Sequence, residues 1–122
     1  HVRLTPEEWV RQNFLQYLIR EGHYPASLII VEGFFRYNKM KKRADIIVHN
    51  RKGEPILIVE CKSPEIVIDD TVKDQLGEYN MEFRVPYVVI TNGLKHYAFR
   101  YDSVNNCYDY LMAIPLYEDL LT

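Results

Sequence analysis

Apolar residues recur along this chain with two different periods. Trp9, Val10, Phe14, Tyr17 and Leu18 return at helical spacing, which predicts a helix with one buried face that ends near Gly22. Thr5 suits its N-cap, Pro6 its first turn, and Glu8, three residues after the cap, can bond back to the cap. Leu28 to Tyr37 is rich in Ile, Val and Phe and reads as a strand, followed by a basic turn, Lys39 to Arg43. Ala44 to His49 and Ile56 to Lys62 read as second and third strands, joined into a hairpin across Asn50 to Glu54. Ser63-Pro64 stops the third strand, and Asp69-Asp70-Thr71 offers caps for a second helix that runs to about Phe83. Its core-facing stripe is Val72, Leu76, Tyr79 and Phe83. Pro86 to Thr91 is a fourth strand, Asn92-Gly93 a hairpin signal, Leu94 to Arg100 a fifth strand, and Cys107 to Ile114 an added edge strand. The order predicts an α/β domain with a mixed sheet, because the strand after the second helix can return by a crossover.

Composition narrows the function classes. With 122 residues, 48% of them hydrophobic and 26% charged, the chain is predicted to be a single domain over residues 1–122. No apolar run, Leu28 to Val31 included, approaches the roughly 20 residues that cross a bilayer, and Arg3, Glu7, Glu8 and Arg11 interrupt the first twenty positions. A cytoplasmic protein without membrane contact is expected. His1 in place of Met suggests a piece of a longer protein. Fifteen basic and seventeen acidic side chains give a net charge of -2, so strong unaided DNA binding is not expected. Cys61 and Cys107 have neither C-x-x-C partners nor His at zinc spacing and read as reduced thiols. No phosphate-loop motif occurs, so nucleotide hydrolysis by that route is not expected of this piece.

The second and third strands are apolar on both faces, as central strands covered by helices are, and this makes Asp45 and Glu60 conspicuous. A hairpin centred between Lys52 and Gly53 sets Asp45 opposite Glu60, with side chains roughly 5 Å apart. Two partly buried carboxylates so close repel unless a cation lies between them. Lys62 follows Glu60 by two, which in a strand turns both to the same face. Oxygen ligands of this kind select Mg²⁺ or Mn²⁺, and the amine can orient or deprotonate a water or neutralise a phosphate, so the cluster suits phosphodiester hydrolysis. Each residue also has a plainer reading: Asp45 bonded to the preceding turn, Glu60 and Lys62 as a sheet-surface ion pair. On the second helix Gln75 borders the apolar stripe and needs a polar partner, which the acid pair can supply, while Tyr79 reads mainly as packing.

Ala44-Asp45, then Val59-Glu60-Cys61-Lys62, then Gln75-Leu76-Gly77-Glu78-Tyr79 resemble the PD-(D/E)xK nuclease pattern with its Q-x-x-x-Y element. Together with Thr5 to Gln12, Arg43 to Val48, Glu60 to Pro64 and Val85 to Gly93, they are similar to the N-terminal endonuclease region of type I restriction enzyme R subunits, over residues 5 to about 102. The resemblance implies a restriction-endonuclease-like α-β-β-β-α-β core, Mg²⁺-dependent cleavage of double-stranded DNA, and specificity and methylation subunits as partners. It also implies a parent protein whose ATP-driven motor lies outside this piece. By the same resemblance Asp45 and Glu60 are metal ligands, Lys62 is catalytic, Gln75 and Tyr79 are site residues, and the Cys61 main-chain carbonyl is a further ligand. Glu8 fits the acid that the first helix often contributes, and its capping role explains it equally well. Ala44 departs from the motif's proline.

Lys39 to Arg43, with Arg36, Arg51 and Lys52, is a candidate phosphate grip, although a solvated turn is the usual meaning of such a run. Tyr97, Phe99 and Tyr101 alternate along one strand and read as a packed face before a base-stacking one. Glu32 reads as the partner of a nearby Lys or Arg. Two rivals to the nuclease remain: a catalytically silent interaction or DNA-docking module with the same fold, and an acid-pair glycosidase, in which Lys62 has no job.

Overall fold

A computed structural model describes residues 4–37 and 39–122, except for the side chains of Tyr37 and Tyr79. The first helix, α1, spans Pro6–Arg20, and the Thr5 hydroxyl accepts the Glu8 N–H at 3.2 Å. Val10, Phe14 and Leu18 are its buried residues. Trp9 and Tyr17 remain 49% and 39% exposed, so the buried stripe is narrower than the five-residue pattern predicts. Each lies about 100° around the helix from its buried neighbour.

Six strands follow: β1 (Ile29–Tyr37), β2 (Met40–His49), β3 (Pro55–Cys61), β4 (Tyr87–Thr91), β5 (His96–Asp102) and β6 (Cys107–Leu111). The second helix, α2 (Asp70–Met81), lies between β3 and β4, and Asp69 caps it by accepting the Val72 N–H. The strands stand in the sheet in chain order. Among the described residues only β3 and β4 pair in parallel, and α2 is the crossover that this pairing requires. This is the mixed α/β sheet that the sequence predicts.

The sheet buries one core on each face. Leu57 and Val59 of β3 join Val10, Phe14 and Leu18 of α1, while Ile58 joins Phe83, Val85 and the partly buried Leu76 of α2 on the other side. Strands β3 and β4 are buried almost throughout. Near the C terminus, Tyr117 and Leu120 close the α1 side, with the Tyr117 hydroxyl donating to the His49 carbonyl at 3.1 Å.

Several boundaries depart from the sequence reading. The basic segment is not a turn: Lys41, Lys42 and Arg43 pair with Arg36, Phe35 and Phe34, so β2 begins at Met40. Exposed cations are tolerated there because their stems cover apolar neighbours; the Lys41 ammonium sits 4.2 Å from the Phe34 ring centre. Strand β5 begins at His96 because the Asn92 side chain accepts the Leu94 and Lys95 N–H groups and consumes those residues in the turn. Gly93 supplies the φ of 88° that this turn needs. Helix α2 ends at Met81, where the N–H groups of Phe83 and Arg84 both turn back to the Asn80 carbonyl. Strand β6 ends at Leu111, short of Ile114.

Candidate active site

The register of β2 on β3 is the predicted one, with Ile46 against Val59, Ile47 against Ile58 and Val48 against Leu57. Its next pair would be Asp45 with Glu60, and there the ladder stops. In place of a main-chain partner on β2, the Cys61 N–H donates to Asp45 Oδ2 at 2.7 Å. The alternation of β2 also reverses at this point: Ala44 packs on the α2 side, whereas Ile46 and Val48 pack on the α1 side. Strand β1 carries the matching irregularity at Glu32, whose φ of 50° interrupts pairing between Val31–Ile46 and Gly33–Ala44. An irregular strand that re-aims a side chain is a frequent companion of functional sites.

Two cavities open at this break, and Glu60 borders both. One, of about 450 Å³, is lined by Lys42, Arg43, Glu60, Lys62 and Gln75, with Leu76 and Ile90 beneath. The other, of about 360 Å³, is lined by Glu7, Glu8, Arg11, Glu32, Asp45 and Glu60. The predicted constellation is therefore brought to one place but not into a single pocket: Lys62 and Gln75 lie on one side of Glu60, Asp45 and Glu8 on the other. Lys62 is half-buried, and its main-chain N–H bonds the Thr91 carbonyl at 2.8 Å, which fixes it to β4 just past the end of β3. Gln75 is exposed, so it has no need of a protein partner, yet it lines the cavity with Lys62. The side chain of Tyr79 lies outside the described residues. The Glu8 N–H donates to the Thr5 hydroxyl, and Glu8 lines the cavity that Asp45 borders.

Cys61 is buried against the α1 core, and burial pushes its thiol up to about 12, so the thiol stays protonated. Any ligand role for this residue falls to its main-chain carbonyl. Glu60 has its carboxyl pKa raised, chiefly by burial; Asp45 and Glu7 push it further up, while Lys42 and Lys62 oppose the shift. Among the described residues, three Cys, Asp or Glu ligand atoms come within 4.8 Å of one another only at Asp102, Cys107 and Asp109. Asp102 there already accepts the N–H groups of Val104 and Asn105. Asp45 and Glu60 form no such closed cage. Two carboxylates flanking an open space fit a hard, hydrated divalent cation such as Mg²⁺, which keeps several of its own waters.

The raised Glu60 pKa fixes the sign of a stability effect. A carboxyl whose folded pKa exceeds its unfolded one stabilises the fold at low pH and loses that contribution as pH rises through the folded pKa. In chelator at pH 7.5, Glu60→Gln is expected to melt a few degrees above the parent chain, with the gap closing toward pH 4. Superimposable melts at both pH values would refute this.

The sequence reading placed Lys42 in a solvated basic turn and did not foresee its burial against Asn80. Lys42 is 3% exposed, its Nζ lies 2.7 Å from Asn80 Oδ1 and 4.0 Å from Glu60 Oε1, and burial lowers its pKa to about 8. It was hidden inside a run of cations whose neighbours face solvent. Arg43 stays exposed and lines both cavities, whereas Arg51 and Lys52 occupy the turn at the far end of β2, so the basic residues do not form one patch. Glu32 pairs with Arg11 at 2.7 Å and Arg43 at 3.9 Å, as its charge predicts. Tyr97, Phe99 and Tyr101 pack against Tyr110 and Tyr108 of β6, a cross-strand aromatic face.

The family model described as the type I restriction enzyme R protein N terminus matches residues 6–115. The chain belongs to that family. No curated protein matches it. Among solved structures, a fragment described as an HsdR subunit of a type I restriction enzyme from Vibrio vulnificus YJ016 superposes with a TM-score of 0.62 at 18% identity. The alignment covers 99% of this chain and 25% of that one, so the R-protein N-terminal region described here spans about a quarter of that relative's length. At that identity the likeness carries the fold, which is that of an R-protein N terminus. No helix among the described residues of this R-protein region is long and apolar enough to cross a membrane.

Proposed function

We propose that this chain is the DNA-cleaving part of a type I restriction R subunit and hydrolyses phosphodiesters with Mg²⁺, or Mn²⁺ in its place. The observation that carries the reading is Glu60, shared by two cavities, with Asp45 on one side and Lys62 with Gln75 on the other. Asp45 and Glu60 would hold the ion, with the Cys61 carbonyl as a third oxygen. When bound, Mg²⁺ supplies Lewis-acid polarisation of a phosphate oxygen and hydroxide near neutral pH. Lys62 orients or deprotonates the attacking water and offsets charge that develops on the phosphate. Gln75, exposed at the rim, is placed to hydrogen-bond the phosphate or that water. Arg43 offers an exposed cation to the DNA backbone at the mouth of both cavities.

A net charge of -2 leaves little attraction for DNA beyond the site itself, so delivery of the duplex falls to the specificity and methylation subunits and to an ATP-driven motor elsewhere in the parent protein. The two free thiols suit the reducing cytoplasm in which such a complex would act. Among the described residues we recognise no base-reading element beside the site, so cleavage here would show little sequence preference.

Supercoiled plasmid incubated with the assembled restriction complex and Mg²⁺ or Mn²⁺ tests the reading. Nicking that requires the ion and disappears with Asp45→Ala supports it. Undiminished nicking by the Asp45→Ala complex overturns it, and so does a complex that assembles and binds DNA but never cuts, which would mark the chain as a docking module.

A further inference from the structure

Lys42 lies on β2 three residues before Asp45, with its side chain turned into the α2 side of the sheet. A cation at 3% exposure has lost nearly all its water, so its surroundings must replace that hydration. Asn80, fully buried at the end of α2, does part of this. Its amide nitrogen donates to the Leu76 carbonyl at 2.9 Å, which turns Oδ1 toward Lys42 Nζ at 2.7 Å. The Phe83 ring centre lies 5.6 Å from the same nitrogen. Further compensation comes from Glu60, whose Oε1 is 4.0 Å from Nζ. Lys42 is thus clamped from behind by an amide and a ring, and offers its charge to one member of the acid pair.

We propose that Lys42 is a built-in counter-ion for the acid pair, and that it competes with the metal for Glu60 and so keeps the site's affinity for divalent cations low. The inference rests on the placement of the cation between Asp45 and Glu60 given above. An ammonium fixed beside a cation site acts twice. It relieves the repulsion of two carboxylates while no metal is bound, and it repels the metal once one arrives. Replacing Lys42 therefore has two separate effects: its contacts with Asn80 and Phe83 are lost, and the ion binds more tightly. A lysine that merely fills space beneath the sheet would produce the first effect alone. The second distinguishes the roles.

A site held in this way loads poorly from free solution. It loads better beside a DNA phosphate, which brings an additional oxygen ligand and negative charge of its own. Lys42 is accordingly a positioning and charge-setting residue, distinct from Lys62, which lines the same cavity but is fixed through β4.

The test is a titration of the 122-residue chain with Mn²⁺, reading the free ion by electron paramagnetic resonance, for the parent chain, Lys42→Gln and Asp45→Asn. Glutamine keeps an amide that can donate to Asn80 Oδ1 while removing the charge. Lys42→Gln is expected to tighten Mn²⁺ binding roughly tenfold, as loss of a like charge a few ångströms from a divalent ion implies at a high effective dielectric. Lys42→Met, which retains the apolar stem, replaces it if the glutamine variant melts below the titration temperature, and the same tightening is expected. Equal Mn²⁺ affinity in parent and Lys42 variants, with binding lost in Asp45→Asn, overturns the role of Lys42 and leaves the metal site standing. Absence of binding in parent and variants alike, or binding indifferent to Asp45→Asn, overturns the site and this inference together.

Discussion

Replacing Lys62 with Ala in the assembled restriction complex is expected to slow Mg²⁺-dependent nicking by about 10³-fold while leaving DNA binding nearly unchanged. The amine lines the cavity with Glu60 and Gln75, and the proposed reaction gives it both water and phosphate to act on; losing one such charge-stabilising donor costs on the order of 10²–10⁴ in rate. Its position does not depend on its own side chain. The main-chain bond from Lys62 N–H to the Thr91 carbonyl holds the residue to β4 whatever side chain it carries, so the Ala variant should keep its melting temperature. Lys62→Arg is not expected to rescue the rate, because a guanidinium cannot give up a proton near neutral pH and is longer and planar. Single-turnover nicking by Ala, Arg and parent complexes checks this, and an Ala variant within tenfold of the parent would remove Lys62 from the chemistry.

The parts of the fold that rest on periodicity were legible in the sequence. Alternation and runs of β-branched residues mark β3 and β4, and the Asn50–Glu54 turn fixes the β2–β3 register to the residue, because a one-residue slip would expose an entire buried face. The crossover through α2 follows from the order of elements. Boundaries set by side-chain capture of the backbone were not legible: nothing in the composition of Leu94-Lys95 reveals that Asn92 binds both their N–H groups. The basic segment misled for a related reason. A run of cations suggests a solvated turn, but a strand can hold alternate cations outward and tuck one beneath, and the sequence does not say which.

The candidate site was legible as a set of residues and less so as a shape. Like charges opposed in buried strands are costly enough to call for an explanation, and that cost singled out Asp45 and Glu60. Strict alternation then placed Lys62 and both acids in one pocket. The irregularity at Glu32 and Asp45 breaks that alternation, splits the space into two cavities on either side of Glu60, and frees the Asp45 carboxylate to take the Cys61 N–H. A strand distortion of this kind leaves no mark in a period-two pattern. The Lys42–Asn80 contact joins residues 38 positions apart and was invisible for the same reason.

Leu57→Ala is expected to be the converse of the Lys62 change, lowering stability by about 3 kcal/mol and the melting temperature by about 10 °C. Leu57 has no exposed surface, pairs with Val48 on one side and Tyr87 on the other, and faces the α1 core with Val10, Phe14 and Leu18. Between two central strands the backbone cannot collapse to fill the space, so the lost contacts and the cavity both count in full. Three residues further along β3, Glu60 faces away from that core and toward the cavities. The cavity left by Leu57 should therefore leave Mn²⁺ affinity within about twofold at temperatures well below the melt, just as Lys62→Ala should leave stability within about 0.5 kcal/mol. Thermal melts and Mn²⁺ titrations of the two variants separate the core from the chemistry. A Leu57→Ala chain that loses its cation affinity while still folded would mean that the α1 core holds Asp45 and Glu60 in place, and that site and scaffold are one unit.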